Sequence, residues 1–205
     1  LFSAFRNNEL DYAPFYLTED PADASRELRA PLKDPRAAFA SDDPVGLTRD
    51  VVAARPERRL NVVLIVVESL SAKFLGAFGN DEGLTPNLDR LAQEGLLFTN
   101  LRATGTRTVR GLEAISLSVP PTPGYSIVKR PQNSNLFSLG TVFREHGYRS
   151  RFFYGGYSYF DNMGPFFAGN GFDVIDRSDL SGDEAEFANA WGVADEFVFR
   201  RVLRE

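Results

Sequence analysis

The 205-residue chain has no cysteine, one histidine, one tryptophan and one methionine. Without cysteine there is no disulfide framework, no zinc-thiolate site and no cysteine nucleophile, and the redox compartment stays open. Long apolar runs are missing too. The longest, Val62 to Val67, has six residues, far below the roughly 20 that cross a bilayer. No basic-then-apolar signal segment opens the chain, which therefore reads as soluble. Positive charge is in deficit, with 23 Lys and Arg against 28 Asp and Glu and a net charge of −5. That balance argues against a nucleic-acid binder, whose binding face must neutralise phosphates.

What is present suits an ordinary globular domain. The apolar fraction of 43% and charged fraction of 25% are enough to bury a core at this length. Residues 1–60 scatter Pro14, Pro21, Pro31, Pro35, Pro44 and Pro56 among charges and read as a leader or linker draped over a domain spanning 61–205. From Asn61 the character changes. Val62-Val63-Leu64-Ile65-Val66-Val67 is a β-branched run expected to form a central parallel strand covered on both faces. Thr85, Pro86 and Gly95 then bracket a helix with Leu88, Leu91 and Ala92 inward. Further along, Leu96–Leu101 predicts a strand, Val109–Ser118 a helix ended by Pro120-Pro121, Leu136–His146 a helix ended by Gly147, and Arg149–Tyr154 a strand. A short strand over Phe172–Ile175 and helices over Glu184–Ala190 and Val193–Leu203 complete the pattern. Such alternation indicates an α/β fold with a largely parallel central sheet and helices on both faces.

Two places carry residues suited to chemistry. Glu68 follows the apolar run, at the carboxyl end where α/β sheets bind ligands. A carboxylate there is either a ligand to a hard cation such as Mg²⁺ or Mn²⁺, or a capping or salt-bridged glutamate. The second place is Thr104-Gly105-Thr106-Arg107-Thr108-Val109-Arg110-Gly111, between a strand and a helix. A hydroxyl at a helix N-terminus feels the positive end of the dipole, and arginines neutralise a phosphoryl group in transfer. The bland alternative is a threonine-capped helix with solvated arginines.

Asn61-Val62-Val63-Leu64-Ile65-Val66-Val67-Glu68-Ser69, followed by Thr85-Pro86-Asn87-Leu88-Asp89-Arg90-Leu91-Ala92, resembles the opening of the sulfatase-like alkaline phosphatase superfamily. Thr104-Gly105-Thr106-Arg107-Thr108 is similar to the nucleophile segment of lipoteichoic acid synthases and bacterial phosphoglycerol transferases. The resemblance runs from about Asn61 to Glu205. It implies Thr108 as nucleophile and metal ligand together, Glu68 as a second metal ligand, and Thr106 as the competing nucleophile. Arg107, Arg110, Thr106, Tyr157 and Asp161 are expected at the substrate, Tyr157 with Tyr159 and Phe160 reading either as a pocket wall or as packing, and the resemblance implies one divalent ion, Mn²⁺ ahead of Mg²⁺ or Zn²⁺. The implied reaction moves a phosphorylated head group, phosphoglycerol first, from a phospholipid donor to a glycan or lipid hydroxyl through a covalent phosphothreonine. The implied location is the periplasmic or extracellular face of a bacterial inner membrane, with residues 1–60 joining membrane helices to the domain.

The family's departures matter as much. The sulfatase Cys/Ser-x-Pro-x-Arg motif is absent, so sulfate-ester hydrolysis is not expected. The family's metal-site Asp-His pair and its further histidine have no match, because the only histidine is His146. It follows Leu136, Leu139 and Phe143 at helical spacing and reads as structural. The absent ligands are expected beyond Glu205, which leaves both ends reading as cuts, the domain incomplete at its C-terminal side and this polypeptide alone inactive. Asp161 and Met163 stand where lipoteichoic acid synthases place a Trp and an Arg on glycerol phosphate. That leaves phosphoethanolamine transfer and phosphodiester hydrolysis as rivals on the same fold, and a non-catalytic module binding anionic lipid or glycan as a rival of another class. Lys129-Arg130 and Pro120-Pro121-Thr122-Pro123-Gly124 read first as a solvated loop, with contact to an anionic membrane surface as the alternative.

Overall fold

The structure is a computed structural model that describes residues 12–120, 122–180 and 182–205. The first eleven residues of the expected leader and Pro121 lie outside them. The chain divides into two compact units that meet between Val67 and Glu68 in sequence.

In the first unit, Asp20 caps helix α1 (Pro21–Arg29) by accepting the Ala22 N–H at 2.9 Å, with Pro21 in the first turn where its missing donor costs nothing. Strands β1 (Ala37–Phe39) and β2 (Arg49–Val51) form an antiparallel pair. The Arg29 guanidinium ties them to α1. It donates to the carbonyls of Ser41, Asp43 and Gly46 and lies 4.4 Å over the Phe39 ring. The expected linker thus carries a helix and a hairpin of its own.

The expected central strand is not formed. Residues 61–67 run without ladder partners, and Leu64 is 59% exposed. A β-branched run becomes a strand only when neighbouring strands take its N–H and C=O groups, and no described segment does so.

The second unit opens with two 3₁₀ turns, Ala72–Phe74 and Gly76–Phe78. Helix α2 (Pro86–Glu94) has the expected bounds, with Thr85 and Gly95 flanking it. Leu88 and Leu91, expected inward, are nevertheless exposed. Leu96–Leu101 is irregular, with a turn at Thr99-Asn100 and Phe98 65% exposed, and does not form the expected strand.

From Thr108 onward the chain packs. Helix α3 (Thr108–Leu117) ends at Ser118 in the left-handed conformation. Helix α4 (Leu139–Glu145) is capped by the Ser138 hydroxyl. Strand β3 (Ser150–Phe153), helix α5 (Met163–Gly169) and strand β4 (Phe172–Ile175) follow. β3 and β4 pair in parallel, Ser150 opposite Phe172 and Phe153 opposite Ile175. A parallel pair needs a crossover, and α5 supplies it. The last turn, Gly182–Ala185, is 3₁₀ rather than the start of a helix to Ala190, and helix α6 (Asp195–Arg204) begins two residues later than expected.

One core gathers these elements. Val109 and Leu112 of α3 meet Val128 and the α5 residues Met163, Phe166 and Phe167, with Phe152, Phe172 and Val174 of the sheet packed against them. Phe166 is fully buried, and the Phe152 and Phe167 rings stack at 3.8 Å. Buried rings of this size dominate the apolar gain of a small core. Asn170 closes it without an unmet polar group: its amide donates to Asn133 O and Phe166 O, and its oxygen accepts the Leu136 N–H. Gly140 is required where it stands, since a Cβ would lie 2.4 Å from the Phe172 ring. The fold is α/β. Its parallel sheet has two strands among the described residues, where the sequence predicts a larger one.

Candidate active site

Thr108 is the first residue of α3, and the Arg107 side chain makes no capping bond there. The N–H groups of a first helical turn lack intrahelical acceptors, so the dipole's positive end meets the Thr108 hydroxyl. That hydroxyl donates to Glu68 Oε2 at 2.7 Å, across 40 residues of sequence. Glu68 Oε1 accepts the Ser69 hydroxyl at 3.1 Å, with Ser69 itself at a positive φ of 58°. A carboxylate held by two hydroxyls and a helix N-terminus behind one of them make a compact, solvent-open oxygen cluster.

Arg107 and Thr106 stand beside it, exposed, and their side chains make no hydrogen bond among the described residues. Arg110 is committed elsewhere. Its Nη1 pairs with Glu113 Oε1 at 2.9 Å, and its Nη2 donates to Gly124 O. The side chain reaches there by folding over Gly105, where a Cβ would lie 2.7 Å from Arg110 Cβ. Glu113 is fully buried and also accepts the Ser126 hydroxyl at 2.7 Å and the Ile127 N–H at 2.5 Å. A buried carboxylate persists only when paired and hydrogen-bonded in this way.

The loop after β3 brings the second group of expected residues. Asp161 pairs with Lys129 Nζ at 2.6 Å and has a φ of 53°. The neighbouring Asn162 is left-handed as well and donates to Val128 O at 2.7 Å. Tyr157 stacks with Tyr159, ring centroids 5.7 Å apart, and Arg177 lies 5.1 Å over the Tyr157 ring. Tyr157 therefore belongs to an exposed aromatic wall, whereas Asp161 belongs to an ion pair. Asp176 pins this loop at its base. Burial alone would raise the Asp176 carboxyl, but hydrogen bonds from the hydroxyls and N–H groups of Ser158 and Ser178 outweigh it and hold the group at about 2. Tyr154, at the carboxyl end of β3, has its phenol raised by burial first, then by the charges of Asp161 and Glu68. The phenol thus senses the acids of both groups.

Glu68 and Thr108 are the expected pair that the fold brings into direct contact. Three residues outside the expected site adjoin it: Tyr154, Glu113 and Lys129. Glu113 had a signal, because it occupies the inward stripe of α3 with Val109, Leu112 and Ser116. Lys129 had none. His146 ends α4 as expected, but its side chain is exposed rather than set on an apolar stripe.

For a metal, Glu68 and Thr108 offer hard oxygen donors of the kind divalent cations take, Mn²⁺ and Mg²⁺ among them. They fit in kind as part of a donor set. Among the described residues no group of three or more His, Asp or Glu gathers to complete one.

The family model described as Sulfatase matches residues 60–205. Curated relatives named phosphoglycerol transferase I, from Salmonella paratyphi B and Salmonella typhi among others, are 31% identical over 161 residues, covering 73% of this chain and 21% of theirs. The chain thus spans about a fifth of the length of those relatives. A crystal structure of a protein in the alkaline phosphatase superfamily from Vibrio parahaemolyticus superposes with a TM-score of 0.61 at 43% identity, over 65% of this chain and 33% of that one.

Proposed function

Because this chain belongs to the sulfatase family of the alkaline phosphatase superfamily, we propose that its protein transfers a phosphorylated head group, phosphoglycerol first, from a phospholipid to a glycan or lipid hydroxyl through Thr108. The observation that carries this reading is the 2.7 Å bond from the Thr108 hydroxyl to Glu68 at the start of a ten-residue helix. The transferase relatives support the reaction class.

The chemistry follows from those atoms. The Thr108 proton points at Glu68 Oε2, so a base lies where the hydroxyl must lose it. The oxygen attacks the head-group phosphorus, and the bond from phosphorus to the lipid alkoxide breaks as that alkoxide takes up a proton. An acceptor hydroxyl then attacks the phosphothreonine, loses its proton, and returns Thr108 to its starting state. The N-terminal amides of α3 favour the charge on the threonine oxygen in both steps. A divalent cation, Mn²⁺ ahead of Mg²⁺ or Zn²⁺, would be held by Glu68 and Thr108 and would supply further positive charge there.

Phosphoglycerol is a lipid head group, so the proposed place of work is the membrane surface of the bacterial envelope. No described helix is long and apolar enough to cross a membrane, and attachment is proposed to come from segments other than these.

The test is transfer of labelled head group from phospholipid vesicles by the full-length protein. Thr108→Ala should lower turnover at least about a thousandfold, as expected when a covalent nucleophile is removed. Label released as free glycerol phosphate, with none on an acceptor, would replace the transferase by a phosphodiesterase. Unchanged turnover in Thr108→Ala would remove Thr108 from the mechanism.

A further inference from the structure

A head-group phosphodiester arriving at Thr108 meets the negative charge of Glu68, and of the arginines beside Thr108 only Arg107 is exposed and free to face it. Arg110, next but one to Thr108, cannot turn to it cheaply. Its guanidinium is the counter-ion of the fully buried Glu113, and withdrawing it would strand a carboxylate in the interior.

Lys129 is in the opposite position. Its side chain is 41% exposed, and its ammonium contacts Asp161 Oδ1 at 2.6 Å. Exposed pairs of this kind are weakly held, and an ammonium has three donors, so one can stay on Asp161 while the others take an anion. Placement favours it as well. The turn Ile127–Lys129 is fastened to the start of α3: the Ser126 hydroxyl lies 3.0 Å from Val109 O and 2.7 Å from Glu113, the Ile127 N–H donates to Glu113, and Arg110 donates to Gly124 O. Val109 is the residue after Thr108. From the other side, Asn162 donates to Val128 O and so fixes the Asp161 loop against the same turn. The charges of Asp161 and Glu68, the acids bonded to Lys129 and Thr108, both raise the Tyr154 phenol, after burial.

We propose that Lys129 is a second phosphate-facing cation of the Thr108 site, beside the exposed Arg107, and that Asp161 positions its ammonium. This rests on the reading of Thr108 as the group that receives the phosphoryl moiety. Arg110, by contrast, is a positioning residue that, with Glu113, keeps the lysine-bearing turn on the nucleophile helix.

The experiment uses the full-length protein with sn-glycerol 1-phosphate and inorganic phosphate as probes. Binding is followed by calorimetry, head-group transfer by kcat and KM, and folding by melting temperature. Lys129→Met should weaken binding of both probes about tenfold or more, the loss expected for a charge-assisted hydrogen bond. Lys129→Arg should restore most of it, and Asp161→Asn should raise KM more than it lowers kcat. Wild-type binding by Lys129→Met, with transfer still dependent on Thr108, would overturn the role of Lys129 and leave the transferase intact. Equal losses in Lys129→Met and Lys129→Arg, accompanied by lower melting temperatures, would overturn it in favour of a structural lysine. Wild-type transfer by Thr108→Ala would overturn both readings together.

Discussion

Two apolar stretches of this chain meet opposite fates. Val62–Val67 is the most strand-like segment in the sequence, and every side chain of it is exposed; the α5 segment Met163–Phe167 looks less regular, and Phe166 is completely buried. Propensity does not separate them. Partners do: α5 shares one core with Val109 and Leu112 of α3 and with Phe152, Phe172 and Val174 of the β3–β4 pair, whereas the valine-rich run has no described strand to take its backbone groups. The candidate site inherits this contrast. Thr108 opens a helix seated in the core, while Glu68 sits directly after the exposed run and is held by two hydroxyls.

The contrast can be broken at several points. The largest effect should come from Glu113→Ala, which leaves Arg110 without its counter-ion and removes the acceptor of Ser126 and Ile127. Breaking a buried pair costs about 3–5 kcal/mol, and a drop in melting temperature checks it. An intermediate effect should follow acidification. Asp176 is held at about 2 against its ordinary 3.8. A depressed carboxyl stabilises fully above its ordinary value and stops doing so as pH falls through its native value. The difference in melting temperature between wild type and Asp176→Asn should therefore be constant above about pH 4 and shrink towards pH 2. The smallest effect belongs to Leu64→Ser. In the 205-residue chain an exposed leucine should change stability by less than about 0.5 kcal/mol. A loss of several kcal/mol would show that the run is buried after all.

How much of this was legible in the sequence depended on whether the information was local. Helix α2 followed from Thr85, Pro86 and Gly95, and α3, β3 and β4 followed from their own periodicity. The pairing of Glu68 with Thr108 was reached only through family resemblance, since nothing in residues 40 apart announces a 2.7 Å contact. Arg110 was expected at the substrate because arginine beside a nucleophile suits phosphate, yet the fold turns it inward to Glu113. Lys129 reads in the sequence first as part of a solvated loop, with an anionic membrane surface as the alternative. Its setting comes from Ser126, Asn162 and Asp161 meeting in space, which no local pattern encodes.

The most direct test of Thr108 as nucleophile is mass spectrometry of the full-length protein, quenched during turnover with labelled phospholipid. The account predicts a glycerophosphoryl adduct on the peptide containing Thr108, formed in wild type, absent in Thr108→Ala, and discharged by adding acceptor. Transfer proceeding at the wild-type rate in Thr108→Ala, or an adduct mapped to Thr106 instead, would contradict it.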